Sequence, residues 1–459
     1  MNREYIYHSY TKTLCNICKK TIDGKIVYNK NGVYILKNCP EHGEFTELLE
    51  EDFTYHLLKS RYDKPGTKGV CQTEVNKGCP YDCGLCPSHD QHTCIGLIEV
   101  TKRCNLNCEV CFADGGSGKD LGIDQIERMM DFYMESEGNR AEILQISGGE
   151  PTLHPEIINI IEMARNKGIK YVMLNTNGLR IAEEEDFAKE LGRFKGGFEV
   201  YLQFDGLRDD IYINLRKRPL VDIKKKAIRN LAKYGVPVTL VCTVAGGLNE
   251  RDLGEIIVYG IDEKSVRGVN FQPVTYFGRI DESKRDGRVT LSGILSRIQE
   301  QTGGMIKKDD FMPLPCNVER VAITYLFKGD GGFVPITRNK DMSQYRDLIN
   351  NTFMFTVEDT LKALKDENVT FGLGECCDLL RDIKKYIPLG FVMKSKNKKI
   401  EFVDENTFRI SVSSFVDAYN FDAKSMQKEC VHIITPDLKK IPFSSYNIIH
   451  RSKYDEYYI

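Results

Sequence analysis

The sequence contains no apolar run long enough to span a bilayer, no recognisable signal peptide, no low-complexity segment and no clear internal repeat. A membrane-crossing helix needs about 20 consecutive, mostly apolar residues, so the missing run argues against a transmembrane protein. The formal charge is only −2 at pH 7, which argues against a nucleic-acid partner bound by bulk electrostatics. We therefore expect a cytoplasmic protein with no nucleic-acid partner.

The chain is long and rich in cysteine. Its 459 residues exceed an ordinary single domain, and an apolar fraction of 41% is enough for a large core. Most of the 16 cysteines have the spacings of metal ligands, which indicates metal sites in a reducing compartment rather than disulfides. These features predict an oxygen-sensitive enzyme built from several modules.

The most informative motif is a C-x3-C-x2-C loop formed by Cys104, Cys108 and Cys111. Three thiolates so spaced can bind three irons of a [4Fe–4S] cluster, which leaves the fourth iron open to a small chelating molecule. The next cysteine, Cys242, is distant and lies in an apolar strand pattern typical of a core residue. The alternative is a three-cysteine zinc loop that takes a distant fourth ligand.

The segments around this loop predict repeated strands and helices. Strand-like runs occupy 95–101, 142–147, 170–175, 198–204, 236–244 and 266–272. Helical patterns between them occupy 155–167, 181–191, 220–234 and 249–261. Six strands alternating with helices predict an α/β fold whose parallel sheet is curled into a partial (β/α)6 barrel. Ligands of such sheets gather at the carboxyl ends of the strands, where the cysteine loop begins.

The second strand ends in Gly148-Gly149-Glu150-Pro151. Together with the cysteine loop, this sequence resembles the GGEP motif of radical S-adenosylmethionine (SAM) enzymes. The resemblance implies that the open iron binds the amino and carboxylate groups of SAM. It also implies that the two glycines admit the methionyl part and that Glu150 receives the ammonium group.

The same resemblance places further SAM contacts at the ends of later strands. Taken singly, each of these positions is also typical of a turn or a strand end. The expected contacts are Asn175, Asn177, Gln203, Asp205 and Gln272. An aromatic residue usually precedes the third cysteine in this superfamily, but Val110 stands there, and Phe112 is the candidate for stacking on adenine.

A first metal module is predicted at 1–70. It pairs Cys15-x2-Cys18 with Cys39-x2-His42 around a predicted hairpin, which is typical of a zinc-ribbon or rubredoxin-like site for one zinc or iron ion. Cys71 is an alternative to His42 as the fourth ligand. Because the module has few apolar residues, we expect it to need the metal in order to fold.

Two auxiliary iron–sulfur sites are also predicted. In the segment 71–98, a second C-x3-C-x2-C run has a further cysteine after it, which predicts a closed [4Fe–4S] cluster with zinc as the alternative. Its expected ligands are Cys79, Cys83, Cys86 and Cys94. The barrel is expected at 99–304 and a second auxiliary-cluster domain at 305–459. The ligands expected there are Cys316, Cys376 and Cys377, in preference to Cys430.

Several segments resemble one family along nearly the whole chain. They are 78–86, 104–113, 310–316, 417–422 and 435–444, and they resemble the archaeal tetraether lipid synthases. Ser444 is a departure, because the resemblance leads us to expect cysteine there. Members of this family were earlier regarded as radical SAM methylases of the methanopterin pathway.

The resemblance implies a radical SAM enzyme that cleaves SAM to a 5′-deoxyadenosyl radical and couples unactivated methyl ends of isoprenoid glycerol lipids by forming carbon–carbon bonds. An electron donor such as ferredoxin would reduce the cluster, and contact with the membrane would be peripheral. One alternative is a radical SAM methylase acting on a pterin. Another is an electron carrier or zinc scaffold without enzymatic activity, which would explain the cysteines but not the GGEP sequence.

Overall fold

The structure is a computed structural model that describes residues 4–280, 287–329, 332–353 and 406–458. Its first unit is a four-stranded antiparallel sheet. The strands are β1 (Ile6–Leu14), β2 (Thr21–Asn29), β3 (Gly32–Cys39) and β4 (Gly43–Glu50), and they pair in that order. Buried residues alternate along most of β3, as expected for a sheet with one covered face. Helix α1 (Phe53–Lys59) follows this sheet.

The second unit is a sheet with twelve strands among the described residues. They are β5 (Ile95–Glu99), β6 (Ile143–Ser147), β7 (Tyr171–Thr176), β8 (Phe198–Gln203), β9 (Val238–Val244), β10 (Val266–Pro273), β11 (Met312–Pro313), β12 (Val321–Gly329), β13 (Gly332–Pro335), β14 (Thr407–Ser413), β15 (Val431–Ile434) and β16 (Lys440–Pro442). The order is β11-β12-β14-β10-β9-β8-β7-β6-β5-β15-β16, and β13 pairs with β12. Strands β5 to β10 are parallel neighbours in chain order, which confirms the predicted barrel sheet.

Helices follow most of the parallel strands. The helices after α1 are α2 (Ile123–Ser136), α3 (Ile157–Asn166), α4 (Leu179–Glu183), α5 (Glu185–Leu191), α6 (Asp209–Arg216), α7 (Val221–Lys233), α8 (Leu253–Asp262), α9 (Leu291–Gln301), α10 (Ala423–Gln427), α11 (Phe443–Ser445) and α12 (Arg451–Tyr454). The helix predicted at 181–191 is divided into α4 and α5 because Glu184 has an extended backbone. None of the helices described is long and apolar enough to cross a membrane.

The two faces of the parallel strands differ in chemistry. Apolar side chains such as Ile146, Val172 and Val200 face the helices and form the main core. Alternate residues of a strand point to opposite sides, so the residues between them point into the barrel. We call these positions the inner face. Its polar residues toward the carboxyl ends of the strands include Gln145, Asn175, Tyr201, Gln203, Asn270 and Gln272, and they lie beside apolar residues such as Leu97 and Val241.

The C-terminal segment extends the barrel sheet at both edges. Strand β14 pairs in parallel with β10, and β15 pairs in parallel with β5. These strands satisfy backbone groups that the edges of a six-stranded sheet would leave unpaired. The barrel sheet therefore includes strands from beyond the boundary predicted at 304/305, and the expected division of the chain into domains stays a prediction.

The N-terminal sheet contacts the same C-terminal segment. The ammonium group of Lys37 donates hydrogen bonds of 2.9 Å to the carbonyl oxygens of Ala418 and Tyr419. Burial lowers the pKa of Lys37 to about 8. The Thr13 hydroxyl donates to the Phe421 carbonyl at 2.7 Å. These contacts fasten the N-terminal unit to the turn that precedes α10.

Replacing Tyr133 by Phe should destabilise the barrel by about 1–2 kcal/mol, because two buried backbone groups would lose a partner. The Tyr133 hydroxyl donates to the Ile143 carbonyl at 2.9 Å and accepts from the Gly96 amide at 3.2 Å. Denaturant unfolding of the two proteins would measure the change. Tyr7→Phe is the matched control at an exposed tyrosine and should leave the unfolding midpoint unchanged. Equal midpoints for the Tyr133 variant and the parent would contradict the expectation.

Candidate active site and metal centres

The three-cysteine loop lies at the carboxyl end of β5. The Cys104 amide donates to the Gly116 carbonyl at 2.9 Å, which holds the start of the loop against the glycine-rich segment that follows it. All three cysteines are partly buried. Burial raises the pKa of the Cys104 thiol to about 12, so the group needs a cation to exist as a thiolate at neutral pH.

The glycines after β6 allow a close approach to that loop. A Cβ on Gly148 would lie 2.3 Å from the Thr101 carbonyl oxygen, and one on Gly149 would lie 2.4 Å from that of Arg103. The Gly149 amide donates to the Thr101 carbonyl at 2.8 Å. The close approach of the cysteine-loop backbone therefore requires glycine at both positions, independently of any contact with SAM.

Glu150 is buried and joins the ends of β6 and β7. One carboxylate oxygen accepts hydrogen bonds from the hydroxyls of Thr152 at 2.6 Å and Thr176 at 2.7 Å. The other oxygen accepts from the Asn177 amide at 2.7 Å. This carboxylate thus fixes the shape of the barrel mouth, and its expected contact with the SAM ammonium group stays a prediction.

Asp205 forms a buried ion pair that the sequence did not indicate. Its carboxylate accepts two hydrogen bonds from the Arg216 guanidinium, at 2.8 and 2.9 Å, and a third from the Thr243 amide at 3.1 Å. Burial opposes the charge of Arg216, but its attraction to Asp205 and to nearby Cys108 raises its pKa. Asp205 therefore positions a cation beside the cysteine loop, and its expected contact with SAM stays a prediction.

Lys224 on α7 is a second candidate functional residue that the sequence did not indicate. Its ammonium group is fully buried and donates to the Asn177 carbonyl at 2.5 Å and to the Gln203 side chain at 2.6 Å. Burial lowers the pKa of Lys224 to about 7. The Asn177 side chain donates to Asn105 in the cysteine loop at 2.7 Å. Periodicity alone places Lys224 on a helix and gives no sign of these partners.

The remaining predicted SAM contacts lie in two environments. Asn175 is on the inner face, and its buried side-chain oxygen has no partner among the described residues. Gln272 lies on the same face, where the Tyr201 hydroxyl accepts a hydrogen bond from the side chain of Asn270. Phe112 instead packs against Phe277, with ring centres 5.1 Å apart, so its expected stacking on adenine stays a prediction.

The N-terminal site brings together all four ligands predicted for a single metal ion. The donor atoms of Cys15, Cys18, Cys39 and His42 lie within 4.8 Å of one another. The His42 ring nitrogen Nδ1 is 3.6 Å from the Cys15 sulfur and 3.5 Å from the Cys39 sulfur, which suits tetrahedral binding of one ion. Burial raises the pKa of Cys15, but hydrogen bonds, first from the backbone of Cys18, lower it to about 7 overall.

The structure changes the predicted grouping of the auxiliary ligands. The sulfur atoms of Cys94, Cys316 and Cys430 lie within 4.8 Å of one another, so Cys94 belongs with these two cysteines rather than with Cys79. The parallel pairing of β15 with β5 explains the change, because the Cys94 amide donates to the Cys430 carbonyl at 2.9 Å. Cys430 is therefore a stronger candidate than expected, and Cys376 and Cys377 lie outside the described residues.

The other auxiliary group retains three of its four predicted ligands. Cys79, Cys83 and Cys86 line one cavity. Burial raises the pKa of the Cys83 thiol to about 12, so a cation is needed to hold these sulfurs as thiolates at neutral pH. Cys71 is exposed and is not among the residues that line this cavity or in the N-terminal metal group.

Comparison with known proteins agrees with this arrangement. Residues 98–259 match the family model of the radical SAM superfamily, and residues 7–51 match that of the HMPTM N-terminal zinc ribbon domain. The 7,8-dihydro-6-hydroxymethylpterin dimethyltransferase of Methanocaldococcus jannaschii is 35% identical over 97% of this chain and 94% of its own length. This chain belongs to the family of that dimethyltransferase.

More distant relatives match only part of this chain. The GTP 3′,8-cyclase of Alkaliphilus metalliredigens is 28% identical, over 39% of this chain and 56% of its own. Among solved structures, Streptococcus suis SuiB bound to the precursor peptide SuiA is 18% identical, with a TM-score of 0.40 over 47% of this chain and 46% of its own. Native anSMEcpe, with bound AdoMet and a peptide, is 20% identical, with a TM-score of 0.33 over 68% and 87% of the two chains.

The full-length relative corrects the predicted reaction. The resemblance to tetraether lipid synthases led us to expect coupling of lipid chain ends, whereas the relative that covers 97% of the chain is named as a pterin dimethyltransferase. The prediction that the enzyme couples the chain ends of a lipid substrate is therefore wrong, and the peripheral membrane contact that accompanied it has no support from the relatives.

The cofactors predicted for this radical SAM enzyme agree with its donor sets. The family uses SAM and a [4Fe–4S] cluster, which Cys104, Cys108 and Cys111 would hold. Further cysteine groups suit auxiliary metal binding, and the N-terminal ribbon suits one mononuclear ion. When bound and reduced, the SAM cluster supplies the electron that cleaves SAM.

Replacing Cys104, Cys108 and Cys111 together by Ala should abolish the formation of 5′-deoxyadenosine from SAM, because no set of thiolates would remain to hold the cluster with an open iron. Anaerobic incubation with dithionite and SAM, followed by chromatography, measures the product. Cys71→Ala, at an exposed cysteine outside all four cysteine groups, should keep the parental rate. Parental product formation by the triple variant would disprove the assignment.

Replacing Cys15 and Cys18 together by Ser should remove one metal ion per chain, because the tetrahedral site would lose half of its ligands. Strands β1 to β4 should then lose protection against hydrogen exchange, since their folding depends on the metal. Metal analysis and hydrogen exchange with mass spectrometry measure the two effects. The prediction fails if metal content and protection both equal those of the Cys71→Ser control.

Proposed function

We propose that this protein is a radical SAM methylase that transfers a SAM-derived methyl carbon to a pterin of the 7,8-dihydro-6-hydroxymethylpterin class. The observation that carries the proposal is the 35% identity to the Methanocaldococcus jannaschii dimethyltransferase over nearly the full length of both chains. The match of residues 7–51 to the HMPTM zinc ribbon extends the similarity beyond the superfamily barrel. The ribbon lies outside the segment that matches the superfamily model, so it indicates a narrower family than the superfamily as a whole.

The polar inner face supports a planar, heteroaromatic substrate. Amide side chains both donate and accept hydrogen bonds, and this matches the ring nitrogens and the carbonyl group of a pterin. Asn175 has a buried side-chain oxygen without a partner among the described residues, and its amide nitrogen donates to Gln145 at 3.4 Å. A buried acceptor of this kind is costly unless a ligand or water satisfies it.

Other residues of the barrel mouth would hold the reactants in place. Glu150, Lys224 and Arg216 form a buried network that fixes the ends of β6, β7 and β8 around the cysteine loop. Fixed polar groups orient a substrate without rearrangement during the reaction, and exclusion of water protects a radical. An electron donor such as ferredoxin would reduce the cluster.

Anaerobic incubation with dithionite, methyl-deuterated SAM and 7,8-dihydro-6-hydroxymethylpterin should yield a pterin that carries deuterium from the methyl group, because the SAM methyl is the proposed carbon source. Mass spectrometry measures the mass increase. Formation of 5′-deoxyadenosine without any labelled pterin would contradict the proposed substrate while leaving SAM cleavage intact.

A pair of asparagine variants tests whether the inner face binds the pterin. Asn175→Leu removes the unpartnered acceptor and should raise KM for the pterin more than tenfold, whereas Asn159→Leu alters an exposed residue on α3 and should change nothing. Equal pterin KM values for the two variants would separate Asn175 from substrate binding.

A further inference from the structure

A segment near the C-terminal end of the sequence lies against the loop that carries the SAM-cluster cysteines. It follows α11 and consists of a π-helical turn at Tyr446–His450, helix α12 and a 3-10 turn at Asp455–Tyr458. We call the residues 446–458 the clasp. The match to the superfamily model covers residues 98–259, so the clasp lies outside the general SAM-binding domain.

Arg451 of the clasp contacts both ends of the cysteine loop. Its guanidinium donates two hydrogen bonds to the carboxylate of Glu99, the last residue of β5, at 2.8 and 3.1 Å. The same group donates to the carbonyl oxygen of Ala113, two residues after Cys111, at 3.4 Å. The side chains of Arg451 and Glu99 are only 12% and 9% exposed, so water weakens their pairing little. One side chain therefore spans the segment that carries all three cysteines.

The last turn of the clasp adds contacts on either side of the loop. The hydroxyl of buried Tyr458 donates to the Glu99 carbonyl at 2.7 Å, and the Tyr458 carbonyl accepts from the Lys119 amide at 2.7 Å. Asp455 forms an ion pair of 2.7 Å with Lys102. The clasp thus contacts the chain before the first cysteine and after the third, through both side chains and backbone.

Other contacts hold the clasp itself in place. The Arg451 Nε donates to the side chain of Asn447 at 2.8 Å, and the guanidinium carbon lies 4.8 Å from the ring centre of Tyr446. His450 donates from Nε2 to the Pro80 carbonyl at 2.9 Å. A guanidinium fixed in this way has lost its rotamer freedom before any ligand binds, so it can orient the groups that it contacts.

We propose that Arg451 is a positioning residue for SAM binding, because it fixes the two ends of the cysteine loop relative to each other. A preorganised site binds its ligand more tightly than one that must be ordered on binding. Thiolates on a looser loop can still hold a cluster, so the loss of Arg451 should weaken SAM binding more than cluster assembly. The proposal rests on radical SAM chemistry and does not depend on which molecule accepts the methyl group.

The first test compares the metal-loaded full chain with its Arg451→Met variant under anaerobic conditions. Dithionite-reduced samples are titrated with SAM, and the change in the electron paramagnetic resonance spectrum gives the SAM concentration for half-saturation. We expect this concentration to rise about tenfold or more, with iron content equal to that of the parent. Lys453→Met is the matched control on α12, because exposed Lys453 pairs with Asp437 instead of the loop, and it should keep the parental value. A parental half-saturation for Arg451→Met would overturn the proposal.

A second variant, Arg451→Lys, separates position from charge. A lysine keeps the positive charge, but its single ammonium group cannot bind the Glu99 carboxylate through two parallel hydrogen bonds and also reach the Ala113 carbonyl. We therefore expect Arg451→Lys to resemble Arg451→Met in the SAM titration. A parental titration for Arg451→Lys would mean that the charge alone is sufficient, and the positioning role would be wrong.

Two neighbouring tyrosines decide the question if the loss of Arg451 unfolds the protein or removes iron. Tyr458→Phe deletes only the hydroxyl that binds the Glu99 carbonyl, and it should raise the SAM concentration for half-saturation about threefold to tenfold without loss of iron. Tyr457→Phe alters an exposed tyrosine and should leave the titration unchanged. Equal half-saturation for the two tyrosine variants would overturn the proposal.

Discussion

The site depends on the close approach of two backbone segments, the end of β6 and the loop after β5. Gly148 and Gly149 leave no room for a Cβ against the carbonyl oxygens of Thr101 and Arg103. The Gly149 amide hydrogen-bonds one of those carbonyls, so the approach is directional as well as close. The cysteine loop therefore has one position relative to the second strand. Preorganised ligands reduce the cost of ordering a cofactor when it binds.

From that contact, a chain of buried polar groups extends around the barrel mouth. Glu150 hydrogen-bonds the end of β7, and Lys224 hydrogen-bonds both Asn177 and Gln203. The Asp205–Arg216 ion pair completes this set of contacts beside Cys108. Each charge is buried with a partner, which is the condition for retaining it in a low-dielectric interior. The positive charge of Arg216 lies beside Cys108, where the thiolates of the cysteine loop would add negative charge.

The sequence was sufficient to predict the parts that local patterns encode. Alternation of strands and helices predicted the barrel, and the C-x2-C and C-x2-H spacings predicted the N-terminal site, because ligands close in sequence are close in space. It could not predict the partner of Cys94, since that depends on strand pairing with a distant segment. Lys224 and Arg216 were missed because the sequence does not show whether a charged residue on a helix is buried in the folded chain.

The pairing of β15 with β5 has a consequence for biosynthesis. Thr93 and His432, which hydrogen-bond beside this pairing, are 339 positions apart in sequence. A ribosome therefore releases the first barrel strand long before the strand that covers its outer edge exists. Contacts of such long range form late and slowly, and an unpaired edge promotes aggregation in the meantime. The group of Cys94, Cys316 and Cys430 is therefore complete only when synthesis has passed residue 430, near the end of the given sequence.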